Sequence, residues 1–195
     1  MRPERTLRII AGQWRGRKFR FPPLDIRPTP DRVRETLFNW LQPRIEGARC
    51  LDLFAGSGAL GLEALSRGAA SVVFVEQQRA AAAAIEQLLT AWQATGAAVF
   101  CTEAQRYLSA AEARGFDLVF LDPPYGSGAL ATAANALGRG WLAGDARVYI
   151  EHARRDALPA LPGSWRELRS GTAGEVGYHL LQVSESAPAG SVATT

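Results

Sequence analysis

The chain has 195 residues, which is enough for one globular domain with a sizeable core and too short for two ordinary domains. Hydrophobic residues make up 47% of it and charged residues 21%, so collagen-like, coiled-coil and wholly disordered proteins are excluded. No apolar run reaches the roughly 18 to 20 residues of a membrane helix, and the start of the chain lacks the apolar core of a signal peptide, so we expect a cytoplasmic protein that does not enter a membrane. Cys50 and Cys101 lie far apart in apolar runs, which excludes a cysteine zinc site and predicts two buried free thiols.

Positive charge is concentrated at the amino-terminal end of the chain. Residues 1–49 contain 12 Lys and Arg against 5 Asp and Glu, a net charge of +7, whereas residues 50–195 contain 10 against 14, a net charge of −4. Arginine outnumbers lysine 21 to 1, which indicates a general composition bias, but such a bias does not explain why the arginines cluster. We therefore expect a basic arm that binds a polyanion and a body with another task.

Two elements are predicted ahead of the main body. Residues 7–21 form a basic hairpin around residues 12–16, because apolar residues alternate with cations along its second strand. Prolines then prevent regular structure up to Thr29, which can cap an amphipathic helix over residues 30–42 with Pro30 in its first position.

From Arg49 onward, short apolar strands alternate with helical stretches, which we interpret as five βα repeats. The fold class is therefore α/β, a doubly wound, mostly parallel sheet of the Rossmann-like kind. A closing hairpin over residues 165–183 and a disordered tail over residues 184–195 complete the chain. The predicted division is an arm and linker (1–28), a main domain (29–183) and the tail. Within the main domain, we predict strands at 50–54, 71–76, 97–101, 117–121 and 146–151 and helices at 59–68, 79–96, 103–115 and 129–140.

A glycine-rich loop follows the first strand of the main domain. Gly56, Gly58 and Gly61 form a G-x-G-x-x-G pattern between a strand and a helix, the context in which this pattern indicates nucleotide binding. Glu76 ends the next strand, where its carboxylate can accept hydrogen bonds from both hydroxyls of a ribose. The predicted nucleoside site also includes the loop residues Phe54, Ala55 and Ser57, and Gln77 beside Glu76.

The loop alone does not separate a dinucleotide from S-adenosyl-L-methionine (SAM). Asp52, beneath the loop, would repel a pyrophosphate but suits the ammonium and sulfonium charges of SAM, so it favours SAM. Glu103 can accept the adenine amino group and Ala104 can support the ring, although Glu103 is equally explained as a residue that starts a helix.

The tetrapeptide Asp122-Pro123-Pro124-Tyr125 ends the fourth strand of the main domain, at the edge of the sheet where ligands bind. The prolines have no N–H group, so the turn presents carbonyl oxygens beside the Asp122 carboxylate, an arrangement that recognises an NH₂ group. Tyr125 offers a face on which an unstacked base can lie. We interpret this tetrapeptide as the catalytic site of a methyl transfer to an exocyclic base amine.

Together these motifs resemble the RsmD family of bacterial 16S rRNA guanine-N2 methyltransferases. The resemblance extends from Arg8 to about Val183, and its most specific parts are residues 8–12 with 15–17, 27–39, 52–58 and 122–125. It implies SAM as the methyl donor and a guanine of 16S rRNA as the target, within an assembled or assembling 30S subunit. It also makes Thr29 and Arg34 candidates for enclosing SAM, beside the alternatives of a helix cap and a surface ion pair. One departure is Glu103, where the family usually carries aspartate.

Three other functions also fit part of the sequence. The same motif fits an adenine-N6 methyltransferase acting on DNA or RNA, while an NAD-dependent oxidoreductase or a non-catalytic RNA-binding assembly factor leaves more of the sequence unexplained. His152 and His179 have no ligand neighbours at metal-binding spacing, so we expect no metal. Trp14 either stacks on RNA or covers a small apolar cluster. We expect a monomer, with RNA bound by Arg8, Arg15, Arg17, Lys18 and Arg20.

Overall fold

The computed structural model describes residues 5–22 and 29–184. The linker expected between the hairpin and Thr29 falls mainly on residues 23–28, and all of the expected tail after Ser184 falls on residues 185–195, so both lie outside the described residues. The strands are β1 (Arg5–Arg8), β2 (Lys18–Phe21), β3 (Arg49–Asp52), β4 (Ser71–Glu76), β5 (Ala97–Cys101), β6 (Phe116–Leu121), β7 (Leu142–Ala153), β8 (Trp165–Ala173) and β9 (Val176–Val183). The helices are α1 (Asp31–Ile45), α2 (Ala59–Ser66), α3 (Arg79–Ala91), α4 (Ala104–Ala110) and α5 (Ala129–Leu137).

The main sheet has seven strands in the order β5-β4-β3-β6-β7-β9-β8. The first five are parallel, and β9 and β8 add to the β7 edge in antiparallel register, so the predicted doubly wound, mostly parallel sheet is confirmed. The expectation of five βα repeats is wrong by one, because β7 leads to β8 through residues 154–164 without a helix. Pro159 and Pro162 lie in this connection, and proline cannot supply the N–H group that a helix interior needs.

Helices cover both faces of the parallel part of the sheet. One core cluster joins side chains of α1, α2 and α3, such as Leu37 and Leu62, to the sheet, and the other joins α4 and α5 through residues such as Leu108 and Leu130. Neighbouring side chains of β4 and β6 point to opposite faces and are buried on both, which explains why residues 72–75 and 118–121 are continuously apolar.

Thr29 does not cap α1. Pro30 occupies the N-cap position without a side-chain cap hydrogen bond, and the helix continues to Ile45 with Pro43 inside it, beyond the predicted end at residue 42. The Thr29 hydroxyl instead donates to Oε1 of Glu151, at 2.7 Å. Glu151 is buried near the end of β7, so its carboxylate needs a hydrogen-bond donor from the protein. The N–H groups at the start of α1 face solvent and can bond to water instead.

The two cysteines differ in exposure. Cys50 is buried on β3, and burial raises the pKa of its thiol. Cys101 is exposed, which contradicts the prediction of two buried thiols, because it ends β5 at the edge of the sheet. Over the residues that the structure covers, no helix is both long and apolar enough to span a bilayer.

Candidate active site and cofactor pocket

A cavity of about 620 Å³ opens where the carboxyl ends of β3, β4, β5 and β6 meet, a volume within the range of small-molecule sites. Parallel strands bring these ends to one edge of the sheet, so residues far apart in sequence share the cavity. Most of the sequence-predicted site residues line it: Thr29, Asp52, Phe54, Ala55, Gly56, Ser57, Glu76, Gln77, Glu103, Ala104, Asp122, Pro123, Pro124 and Tyr125. Gly58 and Gly61 of the glycine pattern, and the candidate Arg34, are not part of this lining.

The glycine loop has the backbone that its sequence requires. Gly56 and Gly58 both have positive φ, 52° and 76°, which side chains other than glycine rarely adopt. A Cβ on Gly58 would approach Cγ1 of Ile85 on α3 to 3.0 Å, and one on Gly61 would lie 2.2 Å from the Phe74 ring on β4. Gly58 and Gly61 therefore allow α2 to pack closely, while Gly56 lines the cavity.

Glu76 joins the loop to the end of β4. Its Oε2 accepts the N–H of Gly56 and its Oε1 accepts the N–H of Gln78, both at 2.7 Å. Each carboxylate oxygen has a second lone-pair direction, so Glu76 can accept ribose hydroxyls while it holds these backbone groups.

Asp52 is buried directly beneath the loop, and its Oδ2 accepts the N–H of Gly61 at 2.9 Å. Burial raises the pKa of Asp52 to about 7; the Gly61 N–H opposes this rise, and the nearby charges of Glu76 and Glu151 add to it. A cation bound in the cavity would lower this pKa and favour the ionised carboxylate.

The charge of the cavity has one sign. Four carboxylates line it, those of Asp52, Glu76, Glu103 and Asp122, and its described lining contains no Lys, Arg or His. Glu103 occupies the N-cap position of α4, but its side chain makes no cap hydrogen bond. Such a cavity opposes a pyrophosphate and suits a ligand that carries positive charge.

The Asp122-Pro123-Pro124-Tyr125 turn forms the wall that follows β6. Pro123 is buried, Asp122 is half-buried and Tyr125 is 36% exposed. The hydroxyl of Ser127 donates to the Pro124 carbonyl at 2.6 Å, so this carbonyl of the turn has a partner within the chain.

Sequence reasoning missed part of the lining. Gln78, Thr102 and Gln105 lie on the side of β4 and β5, and Ser127 and Thr132 lie at the start of α5. These residues could have been predicted, because each lies within a few residues of a strand end already assigned to the site.

Sequence reasoning also missed Glu151, which is not part of the lining. Its carboxylate accepts hydrogen bonds from the Thr29 hydroxyl and, at 2.8 Å, from the Tyr149 hydroxyl. Burial, followed by the neighbouring Glu151 carboxylate, raises the pKa of Tyr149.

Arg34 does not line the cavity, so neither the cofactor role nor the surface ion pair considered for it is supported. The side chain is fully buried, and its Nη2 donates to the Arg8 carbonyl at 3.0 Å and to Asp31 at 2.6 Å. Its Nη1 lies 3.7 Å from the buried carboxylate of Glu63. Arg34 thus ties α1 to the hairpin and to α2.

The predicted RNA-binding residues lie on the hairpin, away from the cavity. Arg15, Lys18 and Arg20 are exposed, Arg17 lies over the Trp92 ring at 5.8 Å, and Arg8 is paired with Asp31 at 3.0 Å.

The hairpin loop docks on Ser66, the last residue of α2, whose hydroxyl donates to Ala11 and accepts from the N–H of Trp14. The eight residues of α2 separate this contact from the glycine loop by about 12 Å. Trp14 is buried against Trp92, which supports the apolar-cluster interpretation over stacking on RNA.

The two histidines do not stand alone, contrary to expectation. His152 Nε2 lies 3.0 Å from His179 Nε2 across β7 and β9, and His179 Nδ1 lies 2.6 Å from Glu167. The sequence separates His152 from His179 by 26 residues, and strand register brings them together. Within the described ranges, no three His, Cys, Asp or Glu side chains are grouped so as to hold a metal ion.

Comparisons with known proteins agree with the motifs. A family model described as Conserved hypothetical protein 95 matches residues 7–182. The Ribosomal RNA small subunit methyltransferase D of Escherichia coli (strain K12) is 47% identical over 178 residues, which cover 90% of this chain and 89% of that protein. The protein of the same name from Haemophilus influenzae is 42% identical over 183 residues, which cover 90% of this chain and 93% of that protein.

Solved structures share this fold. The yhhF protein of Escherichia coli superposes with a TM-score of 0.86 at 44% identity, covering 93% of this chain and 99% of that one. The Thermus thermophilus 16S rRNA N2 G1207 methyltransferase RsmC, solved with AdoMet and guanosine, has a TM-score of 0.63 at 22% identity and covers 94% of this chain and 50% of that one, so it shares the fold alone. From its motifs and from the match over residues 7–182, the chain belongs to the RsmD family, the family described as Conserved hypothetical protein 95.

Proposed function

We propose that this protein transfers a methyl group from SAM to the exocyclic N2 of a guanine in 16S rRNA of the small ribosomal subunit. Methylation of small-subunit rRNA follows from family membership, since the relatives at 47% and 42% identity carry that function in their names. The observation that supports this reaction is that the acidic nucleoside-binding residues and the Asp122-Pro123-Pro124-Tyr125 turn line the same cavity.

The cavity supports SAM as the cofactor. SAM carries an ammonium, a sulfonium and a carboxylate, a net charge of +1, whereas a dinucleotide brings two phosphate charges against four carboxylates. Glu76 would hold the ribose hydroxyls, Glu103 and Ala104 the adenine, and Asp52 the positively charged amino-acid end. The same charge argument counts against the NAD-dependent oxidoreductase.

The turn after β6 supports a base amine as the target. When bound, SAM supplies a methyl group made electrophilic by its sulfonium. The Asp122 carboxylate and the Pro123 carbonyl accept hydrogen bonds from the two N–H groups of the amine, and this geometry points the nitrogen lone pair toward the methyl group. Asp122 also stabilises the positive charge that develops on the nitrogen, and Tyr125 stacks on the base. The C–N bond would form as the bond between the methyl carbon and the sulfonium sulfur breaks, so the neutral thioether is the leaving group and the amine proton passes to an acceptor of this rim.

The proposal is tested by offering labelled SAM to four substrates: small subunits from cells that lack this enzyme, the naked 16S rRNA, duplex DNA and single-stranded DNA. We expect label in the small subunits or their rRNA, recovered as N2-methylguanosine after digestion. N6-methyladenosine would instead support the adenine-N6 alternative, for which the same turn is suited. An enzyme that binds SAM and labels none of the four substrates would contradict methyl transfer to these nucleic acids.

A further inference from the structure

We propose that the turn of residues 153–156, which carries Arg154 and Arg155, binds a phosphate of the RNA strand beside the target nucleotide. This inference rests on the proposed function, because it names the part of the surface that holds the RNA backbone while the base enters the cavity.

The turn stands at the same edge of the sheet as the cavity. β7 runs parallel to β6, and Ile150 pairs with Leu121, the last residue before the catalytic turn. β7 continues to Ala153, three residues or about 10 Å further, where only β9 accompanies it. The arginines therefore follow the strand next to the one that ends in Asp122-Pro123-Pro124-Tyr125.

The turn is held in place while its arginines are exposed. The N–H of Arg154 donates to the Glu175 carbonyl at 2.7 Å, and the N–H of Asp156 donates to the Ala153 carbonyl at 2.9 Å. The Arg155 side chain is 88% exposed, and Oδ1 of Asp156 lies 3.8 Å from its Nε. Because the backbone of the turn is anchored on two sides, phosphate binding orders only the arginine side chains and not the turn itself.

Electrostatics creates the need for such a subsite. RNA that places a base against Asp122 also brings its own phosphates to the rim of a cavity lined by four carboxylates, which repel them. The described lining of the cavity offers no cation to offset this repulsion. The hairpin loop docks at the far end of α2 and does not supply that charge at the rim.

Other exposed arginines stand elsewhere on this edge. Arg79 begins α3 after β4, and Arg106 lies in the first turn of α4 after β5, so both follow the strands proposed to hold the cofactor. In the sheet order, β6 separates the cofactor strands from β7. Arg154 and Arg155 are thus the exposed pair next to the target side of the cavity.

The test compares steady-state methylation of the rRNA substrate by wild type, R154A/R155A and R154K/R155K. We expect the alanine pair to raise KM for the RNA at least about tenfold, with kcat and the SAM Kd within twofold of wild type. Loss of two phosphate contacts should make the log-log salt slope of RNA binding shallower by about 1.4 for a single-stranded target. The lysine pair should restore most of the slope, since lysine also neutralises phosphate.

The matched control is R114A/R139A. Arg114 and Arg139 are exposed and precede β6 and β7 at the opposite edge of the sheet, so this variant removes the same charge from the far ends of the same region. An equal rise in KM in this control would show an effect of net charge and overturn the subsite. An unchanged KM and salt slope in R154A/R155A would also overturn the subsite. In that case methylation of rRNA by the wild-type protein would still support the proposed function. Absence of rRNA methylation by wild type would instead overturn the proposed function.

Discussion

At the scale of single residues, the carboxylates of the cavity differ in what surrounds them. Glu76 receives two backbone N–H groups at 2.7 Å, whereas Asp52 receives one at 2.9 Å and is buried beside two other acids. The same functional group is therefore suited to neutral ligand hydroxyls in one place and to a ligand cation in the other.

Asp52 predicts a pH dependence of SAM binding. With a pKa of about 7, Asp52 keeps its proton in the folded protein at pH values where the unfolded chain has lost it. The stability that the protonated side chain contributes is therefore fully present below about pH 4 and is lost as the pH rises through 7. SAM requires the ionised form, so its affinity should fall about fivefold from pH 7 to pH 6, a range in which an α-amino group stays charged. Calorimetric titration of wild type against Asp52→Asn checks this: the variant should bind more weakly and with a flatter pH profile. A wild-type affinity that is constant over this range would contradict the assignment.

Glu76→Ala should weaken SAM and its demethylated product alike. Hydrogen bonds to a charged acceptor contribute about 1.5 to 3 kcal/mol, and the variant also releases the N–H groups of Gly56 and Gln78. Glu76→Gln keeps one oxygen acceptor and should fall between wild type and alanine. Calorimetry with SAM and with NADH measures the effect; tight NADH binding without heat from SAM would remove the methyltransferase assignment.

Asp122→Ala should abolish methyl transfer and leave the SAM Kd within a few fold, because the side chain is assigned to the target amine. Asp122→Asn should also be severely impaired, since its amide can accept a hydrogen bond but lacks the charge that stabilises the developing positive nitrogen. Single-turnover rates and SAM titrations separate the two effects. Full activity in either variant would place Asp122 outside the reaction centre.

At the scale of elements, the hairpin and α2 act as one unit. Glu63 on α2 accepts the N–H groups of Ile10 and Ala11 at 2.8 and 3.0 Å and pairs with Arg67 at 2.7 Å. Gly12 has φ of 82°, and a Cβ there would clash with the Ser66 carbonyl, so the hairpin loop lies directly on the end of this helix. The buried side of the hairpin stabilises the fold, which leaves its exposed side available for RNA.

The hairpin prediction concerns that exposed side. Replacing Arg15, Arg17, Lys18 and Arg20 together by alanine should raise KM for RNA strongly, spare SAM binding and make the salt slope shallower by roughly 3, at about 0.7 per contact. Thermal melting controls for a purely structural role. A lowered Tm with an unchanged slope would mean that these residues serve packing alone, and Arg17→Ala by itself estimates the part due to the Trp92 contact. Unchanged slope and KM would contradict the RNA-binding arm.

At the scale of the whole molecule, the sheet separates two kinds of surface. The carboxyl ends of β3 to β6 enclose an acidic cavity, and the basic hairpin packs on the helices of one face and reaches the opposite end of α2. An RNA strand that contacts both must extend along α2, about 12 Å, while its target base lies in the cavity. The arrangement favours a large RNA substrate over a small metabolite.

Elements and motifs that depend on neighbouring residues were predictable from the amino-acid pattern. The bounds of β4 and β5 match the predicted 71–76 and 97–101, and the glycine loop, Glu76 and the Asp122-Pro123-Pro124-Tyr125 turn share one cavity, because strand alternation and parallel topology send strand ends to one edge.

Contacts between residues that are distant in the sequence were not predictable, because they depend on how the strands are arranged in the sheet. Thr29 bonds to Glu151 instead of capping α1, Cys101 is exposed at an edge strand, and His152 contacts His179. Periodicity along a chain shows which side of a strand is buried. Strand order and register determine which strand lies at the edge and which side chains meet although they are 27 or 122 positions apart in the sequence.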